Sequence, residues 1–182
     1  MVTPRLETIC TSLAHVLVAR KLSMVTAESC TGGLIAASCT QLSGSSAWFE
    51  RGFVTYSNAA KSELLGVAAS LIEAHGAVSE EVAKAMALGA LAHSPAHISV
   101  AVTGIAGPTG GSDAKPVGTV WLAWAWRDSK QVLHSETLLR QFEGTRSEVR
   151  DATAELALAH LTELVEKLVG KLLETTGKKI PT

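Results

Sequence analysis

The segment from Thr26 to Gly33 combines a nucleophilic side chain with a junction between a strand and a helix. The preceding residues, Ser23 to Ala27, are typical of a short buried strand. Ser29 follows this strand, and Gly32 and Gly33 turn the chain into a helix. Ligand sites in α/β sheets favour this position, and the free N–H groups of a helix's first turn can hold a phosphate or an oxyanion. Ser29 is therefore predicted to be a nucleophile beside its own oxyanion hole.

Two other interpretations of this segment stay open on pattern alone. Ser29 or Thr31 is also compatible with a simple helix N-cap that has no chemical role. Cys30 is a second potential nucleophile, because a helix N-terminus lowers the pKa of a thiol. No histidine lies within the motif to act as its base, and an inert buried cysteine is the commoner case.

A serine nucleophile needs a base, and Lys61 is better placed than any histidine. The histidines lie in helical stretches, beside turns or in a predicted hairpin, and none belongs to a motif: His15, His75, His93, His97, His134 and His160. The segment beginning at Tyr56 runs from a strand into a helix, with Lys61 on the first turns. Burial and the positive end of the helix dipole both lower the pKa of an ammonium, and Ser-Lys pairs are a known variant of the catalytic triad. A solvated surface lysine is the alternative.

Two further segments could bind an anion. The glycine-rich stretch from Gly104 to Gly111 could cradle a phosphate through backbone N–H groups, although it matches neither a Walker loop nor a dinucleotide fingerprint. Arg146 and Arg150 stand one turn apart on the last predicted helix, where they could clamp a phosphate or form an ordinary exposed pair. Glu28 and Asp113 have no metal-ligand spacing, so no metal site is expected.

Hydrophobic periodicity predicts the elements that must position these residues. In chain order the predictions are an opening helix capped by Thr3-Pro4, a strand at Ser23–Ala27, a helix to about Gln41, a strand at Arg51–Tyr56, helical patterning to about Ser94 with a break near Gly76, a strand at His97–Thr103, a loop at Gly104–Gly118, a hairpin of Thr119–Trp126 and Gln131–Leu139, and a helix from about Thr145 to Leu173. Strands separated by helices, then a hairpin and a long helix, predict an α/β fold: a three-layer α/β/α sandwich with a mixed sheet. Trp124 and Trp126 share one strand face and Trp121 the other, and core or dimer-interface packing is expected for them.

Composition restricts the class of protein. The 182 residues suit one domain, predicted over residues 1–174 with a disordered tail at 175–182. With 47% hydrophobic residues, 18% charged residues and a net charge of -1, neither disorder nor nucleic-acid binding is suggested, and a small-molecule partner is expected. Cys10, Cys30 and Cys39 form no disulfide or zinc pattern, and the first twenty residues resemble neither a secretion signal nor a membrane span. A cytoplasmic location without a membrane partner is predicted.

Several of these motifs together resemble one family, the C-terminal domain of the competence-damage protein CinA. They are Thr26 to Gly33, Gly44-Ser45-Ser46, Val54 to Asn58 with Lys61, Ser79-Glu80, and Gly104 to Gly111 with Lys115 to Thr119. The match runs in order from about Leu6 to Val165 without large gaps. The resemblance implies an α/β/α fold and a Ser-Lys amidohydrolase that acts without a metal or other cofactor and often as a homodimer.

The resemblance also implies site residues. The family's serine falls on Ser29 and its lysine on Lys61. Its other polar positions fall on Ser46, Tyr56 and Thr103, and its arginine on Arg146 or Arg150, of which Arg146 is favoured because it follows the Gly144-Thr145 turn. With the glycine-rich turns, the predicted catalytic residues are Ser29, Lys61 and Tyr56, and the predicted substrate-binding residues are Thr31, Gly32, Gly33, Ser46, Thr103, Gly104 and Arg146.

The activity that the resemblance implies is deamidation of nicotinamide mononucleotide to nicotinate mononucleotide, in pyridine nucleotide salvage. Three alternatives stay open, of which a protein-interaction role in DNA uptake or repair rests on the family's name more than on any basic patch. A nucleotide- or phosphate-binding module without catalysis would use Ser29 as a cap and Lys61 as an anion ligand. A Ser-Lys amidase or esterase with another substrate would share the same site.

Overall fold

The computed structural model describes residues 3–128 and 130–176, which form a five-stranded sheet and six α-helices. In chain order the elements are α1 (Pro4–Ala19), β1 (Met24–Glu28), α2 (Leu34–Thr40), a 3-10 helix (Ser45–Ala47), β2 (Phe49–Val54), α3 (Asn58–Leu65), α4 (Ala69–His75), α5 (Glu80–Ala92), β3 (Ile98–Gly104), β4 (Thr119–Arg127), β5 (Leu133–Gln141) and α6 (Arg146–Thr176).

The strand order β2-β1-β3-β4-β5 places the three parallel strands together. β1 pairs in parallel with β2 on one side and with β3 on the other, so all three end at the same edge of the sheet. β4 is antiparallel to β3, and β5 is antiparallel to β4. The predicted mixed sheet with its C-terminal hairpin is confirmed.

Apolar side chains cover both faces of the sheet. α1, α2 and α6 pack against one face, and α3, α4 and α5 pack against the other. Buried members are Leu13, Ile35, Trp124 and Leu158 in the first cluster and Val25, Leu65, Met86 and Ala123 in the second. Because the sheet is covered on both sides, the predicted three-layer α/β/α sandwich is confirmed.

The helix boundaries follow local capping chemistry. α1 begins as predicted, since the Thr3 hydroxyl accepts the N–H of Leu6 at 3.1 Å and Pro4 occupies the first helical position. α3 ends earlier than the continuous pattern predicted, because Gly66 adopts a left-handed φ of 68° and its N–H caps the helix. The predicted break near Gly76 is present between α4 and α5.

The strands differ from the predicted bounds by one or two residues. β1 runs on to Glu28, and β2 begins at Phe49 and ends at Val54 rather than at Tyr56. β5 begins two residues later than predicted, because Asp128 accepts the N–H groups of Lys130 and Val132 at 2.8 and 2.9 Å and widens the hairpin turn.

The hairpin and the last helix complete the sandwich. Trp124 is fully buried and its indole N–H donates to Ala157 O at 3.0 Å; Trp126 packs against the same cluster and Trp121 against the opposite one, as predicted. α6 continues to Thr176, and residues 177–182 of the predicted tail lie outside the described residues. Among the helices described, none has the length and apolar character needed to cross a membrane.

Candidate active site

A pocket of about 230 Å³ opens at the edge of the sheet where the parallel strands end. Its walls come from the turn after β1, the start of α3, the segment before α5, the end of β3 and the start of α6. Six of the predicted site residues line it: Ser29, Tyr56, Lys61, Thr103, Gly104 and Arg146. Parallel strands therefore bring together residues that lie far apart in the sequence, as is common for ligand sites of α/β sheets.

Ser29 is held by the sheet on both sides of β1. The N–H of Thr55 donates to Glu28 O at 2.8 Å, and the N–H of Ser29 donates to Val102 O at 3.0 Å. The chain turns immediately afterwards, so the Ser29 side chain, 9% exposed, lies at the pocket wall.

Two glycines make the turn from Ser29 into α2 possible. Gly32 and Gly33 have φ angles of 59° and 94°, in the left-handed region that residues with a Cβ rarely adopt. α2 then begins at Leu34. The glycines serve the backbone conformation of the turn, and neither of them lines the pocket.

The start of α2 is occupied by a side chain of the protein itself. The fully buried Glu28 carboxylate accepts the N–H groups of Gly33, Ile35 and Ala36 at 3.0, 3.0 and 2.8 Å, and the hydroxyl of Thr31 at 2.7 Å. An internal carboxylate thus neutralises the positive helix end. These three N–H groups are therefore not free for a substrate anion, and the predicted anion site at this turn stays a prediction for the N–H groups that precede them.

Lys61 lies on the first turns of α3, behind the N-cap Ser57. Its side chain is 1% exposed, which excludes the solvated surface lysine that pattern alone allowed. Lys61 Nζ lies 3.0 Å from Ser29 Oγ and donates to Thr55 O at 2.8 Å. No ion pair joins Lys61 to a carboxylate in the described part of the chain.

Burial has opposite effects on the pKa values of the Lys61 amine and the Cys30 thiol, which both lie next to Ser29. It lowers the pKa of Lys61 below the ordinary 10.5, because a desolvated ammonium is disfavoured. It raises the pKa of Cys30 to about 12, because a desolvated thiolate is disfavoured. The lowered pKa favours the neutral amine, the form of Lys61 that can accept a proton from Ser29, whereas the raised pKa disfavours the nucleophilic thiolate of Cys30.

Tyr56 and Arg146 meet at the mouth of the pocket. Arg146 Nη2 donates to Tyr56 Oη at 2.9 Å, and Arg146 Nη1 donates to Gly107 O at 2.8 Å. Tyr56 is 62% exposed, and it is not among the hydrogen-bond partners of Lys61 Nζ. This hydrogen bond places the Arg146 guanidinium across the pocket entrance and keeps the Tyr56 phenol there, rather than beside Lys61.

The opposite wall is built on the end of β3. The Thr103 hydroxyl donates to Ala77 O at 2.8 Å, and Lys115 Nζ donates to Val78 O at 2.7 Å, so both fix the segment before α5. Gly104 is required by close approach, since a Cβ there would lie 2.8 Å from Thr119 O.

Several predicted residues lie elsewhere. The buried hydroxyl of Thr31 points to Glu28 rather than to the pocket, and Ser46 is exposed in the 3-10 helix, outside the pocket lining. Arg150 donates to Thr31 O through Nη2 at 2.7 Å and Nε at 3.2 Å, so of the two arginines only Arg146 lines the pocket.

The sequence analysis did not predict that Glu28 caps the start of α2, and it missed part of the pocket lining. The lining residues not predicted for this role are Cys30, Asn58, Ala77, Val78 and Ala106. Glu28 offered a signal, since a carboxylate beside a helix start is electrostatically favourable. The apolar wall residues carried none, because small side chains before a helix are typical of ordinary packing.

The chain is similar to proteins of known family. The model of the CinA C-terminal domain matches residues 6–165. A nicotinamide-nucleotide amidohydrolase PncC of Pseudomonas putida is 52% identical over 159 residues, which cover 87% of this chain and 96% of that protein. Another protein of that name, from Enterobacter agglomerans, is 51% identical over 154 residues, 85% of this chain and 92% of its own length.

A solved structure agrees with these relatives. The competence/damage inducible protein CihA from Agrobacterium tumefaciens superposes with a TM-score of 0.82 at 43% identity, over 90% of this chain and 98% of that one. The fold, the matched residues and the sequence identity point the same way: this chain belongs to the CinA C-terminal domain family.

Proposed function

We propose that this chain is an amidohydrolase that converts nicotinamide mononucleotide to nicotinate mononucleotide and ammonia. The observation that carries the proposal is the buried contact of 3.0 Å between Lys61 Nζ and Ser29 Oγ at the pocket. The substrate is supported by the relatives named nicotinamide-nucleotide amidohydrolase, at 51% and 52% identity over most of the chain.

The first half of the reaction forms an ester on Ser29. Neutral Lys61 accepts the proton of Ser29 Oγ as this oxygen bonds to the carboxamide carbon. The tetrahedral intermediate then breaks its C–N bond, and Lys61 returns the proton to the leaving nitrogen, which departs as ammonia. Thr55 O, which accepts a hydrogen bond from Lys61 Nζ at 2.8 Å, keeps the amine directed at Ser29 through both transfers.

The second half releases the acid. Water attacks the ester carbon and gives a proton to Lys61, and the bond from this carbon to Ser29 Oγ breaks. Lys61 then returns the proton to Ser29, which restores the starting state. One lysine thus acts as base and acid in turn.

The oxyanion is assigned to the N–H groups of Cys30 and Thr31. Three N–H groups at the start of α2 are taken by Glu28, whereas within residues 3–128 and 130–176 these two N–H groups have no oxygen acceptor and face only the Cys30 sulfur, a weak acceptor. The N–H of Cys30 directly follows the nucleophile, where one such donor lies in α/β-hydrolases, and the N–H of Thr31 is the next along the chain. Thr31 therefore stays a substrate-binding candidate through its N–H, with Gly32 and Gly33 shaping the turn.

The substrate phosphate is assigned to Arg146. Only two of the roughly five guanidinium N–H donors are used by Tyr56 and Gly107, which leaves others for an anion. A pocket of about 230 Å³ suits the nicotinamide end of the substrate, with the phosphate at the mouth. Tyr56, predicted as a catalytic residue, is proposed to orient Arg146 and to flank the ring.

Two assignments about the molecule's surroundings are also proposals. The homodimer that the resemblance implies is testable by sedimentation equilibrium. A cytoplasmic location agrees with the three cysteines, which are free thiols as in a reducing compartment.

The decisive experiment supplies the purified chain with nicotinamide mononucleotide, without added metal, and measures ammonia and the acid product. Stoichiometric release of both, lost in Ser29→Ala, is the expected result. Binding of the nucleotide without ammonia release would favour the non-catalytic module. Faster hydrolysis of a different amide in a panel with nicotinamide, glutamine and asparagine would reassign the substrate.

A further inference from the structure

Two charged side chains hold the turn after Ser29 from opposite sides. On the inside, Glu28 Oε2 accepts the hydroxyl of Thr31 at 2.7 Å. On the outside, Arg150 of α6 donates to Thr31 O through Nη2 at 2.7 Å and Nε at 3.2 Å. The side chain and the carbonyl of Thr31 are thus each held by a different charged residue, and Thr31 is fully buried.

The position of this turn matters to the chemistry proposed above. Thr31 lies two residues after the nucleophile, and its own N–H and that of Cys30 are the assigned oxyanion donors. The chain that follows contains Gly32 and Gly33, and glycine backbones are conformationally permissive. Within the turn the Gly32 N–H donates to Ser29 O at 3.1 Å, and the contacts of Glu28 and Arg150 add a hold that the glycine conformations do not supply.

Neither charged residue lines the pocket, and neither contacts Ser29 Oγ or Lys61 Nζ. Arg150 and Arg146 lie one turn apart on α6, but Arg146 faces the pocket mouth while Arg150 reaches the turn. The same helix therefore presents one arginine to the substrate and one to the machinery that attacks it.

We propose that Arg150 and Glu28 are positioning residues, which clamp Thr31 so that the nucleophile and the oxyanion donors keep their places relative to Lys61. The inference rests on the proposed function. A displacement of about 1 Å in such a group can cost about a hundredfold in rate. Loss of the clamp should therefore lower kcat, whereas loss of a phosphate ligand should raise KM.

The test compares two methionine variants on the same helix. Arg150→Met keeps an unbranched apolar stem and removes the guanidinium, and we expect a kcat about 10- to 100-fold lower with KM changed by less than about twofold. Arg146→Met should show the opposite pattern, with KM raised about tenfold or more and a smaller effect on kcat. Arg150→Lys, which keeps one donor, should recover part of kcat.

A third arginine provides the control for lost stability. Arg127 Nη2 donates to Leu91 O at 3.3 Å at the other end of the sheet, so Arg127→Met removes a similar contact away from the pocket. All variants are assayed well below their melting temperatures. Arg127→Met should keep kcat and KM; a kcat in this variant as low as in Arg150→Met would overturn the clamp as a specific device.

A second readout addresses Ser29 without the substrate. The rate at which a small fluorophosphonate labels Ser29 should fall in Arg150→Met as kcat does, and stay unchanged in Arg146→Met. An Arg150→Met enzyme with raised KM and unchanged kcat and labelling would overturn the proposal. If the unmodified chain labels at Ser29 but releases no ammonia, the proposed function fails while an Arg150-dependent labelling rate still supports the clamp.

Discussion

Lys61 is the residue on which the proposed chemistry depends most, because its amine must be neutral to accept a proton. Lys61→Arg keeps a cation that does not deprotonate usefully in proteins, so we expect it to be nearly as inactive as Lys61→Ala. An anion-binding lysine predicts the reverse order, with arginine retaining most of the activity. Measurement of kcat and KM for both variants decides, and an active Lys61→Arg enzyme would remove Lys61 from the proton transfers.

The pH dependence follows from the same burial. Since the pKa of Lys61 lies below 10.5, kcat/KM should rise with pH along a limb set by the lowered value. Between the lowered pKa and 10.5 the unfolded chain binds a proton that the folded chain has released, so the free energy of unfolding should rise with pH across this window. Below the lowered pKa both states are protonated, and the burial cost is fully present. Urea denaturation across this window should show a slope that Lys61→Met lacks; equal slopes would contradict the assignment.

The serine and the cysteine beside it make opposite predictions. Ser29→Ala should lower ammonia release by about a thousandfold or more, because a nucleophile is lost. Cys30→Ala should keep most activity, since the thiol has a pKa of about 12 and stays protonated. Ser46→Ala should also be mild, because Ser46 lies outside the pocket lining. Steady-state assays of the three variants check this. If Ser46→Ala loses more activity than Ser29→Ala, the nucleophile has been assigned to the wrong motif.

At the scale of elements, a boundary marked by a capping sequence was predictable, whereas boundaries set by the conformation or the hydrogen bonds of a turn were not. The start of α1 depends on Thr3 and Pro4 alone, so the local signal sufficed. The end of α3 depends on a left-handed Gly66, and an isolated glycine inside helical periodicity does not by itself mark an end. The bounds of β5 depend on three hydrogen-bonding groups of one turn, which periodicity does not register.

The contact between α3 and α5 gives a prediction opposite to helix propensity. Alanine normally stabilises a helix interior by about 1 kcal/mol relative to glycine. At Gly89 of α5, however, an added Cβ would lie 2.1 Å from Leu65 O, at the end of the helix that carries Lys61. Gly89→Ala should therefore lower both the melting temperature and kcat, whereas Lys84→Ala at an exposed position of α5 should leave both nearly unchanged. Thermal denaturation and ammonia assays test this, and a more stable Gly89→Ala would show that the helices separate at no cost.

At the scale of the molecule, the part of the site that follows from the general geometry of a parallel sheet was predictable from the sequence. Ser29 and Lys61 each follow a strand of one parallel pair, β1 and β2, so their meeting is a property of the sheet. The contact of Arg150 with Thr31 spans 119 residues of sequence and depends on how α6 packs against the sheet and α2. The capture of the α2 N-terminus by Glu28 likewise depends on the exact course of a turn, which spacing in the sequence does not register.

Ligand binding to the whole domain separates recognition from catalysis. Ser29→Ala should bind nicotinamide mononucleotide without consuming it, so the nucleotide should stabilise the folded state by about 2.7 kcal/mol at a concentration of 100 times Kd. For a domain of this size that corresponds to a rise in melting temperature of roughly 5–10 °C. When Arg146→Met is added to Ser29→Ala, the same rise in melting temperature should require a higher nucleotide concentration, since the phosphate loses its ligand. When Arg150→Met is added instead, the required concentration should stay the same, because the clamp acts on the nucleophile. Thermal denaturation across a nucleotide titration measures all three. If the rise in melting temperature is lost equally in both double variants, both arginines of α6 contribute to nucleotide binding. If Ser29→Ala itself shows no rise, the result contradicts a nucleotide site at this pocket.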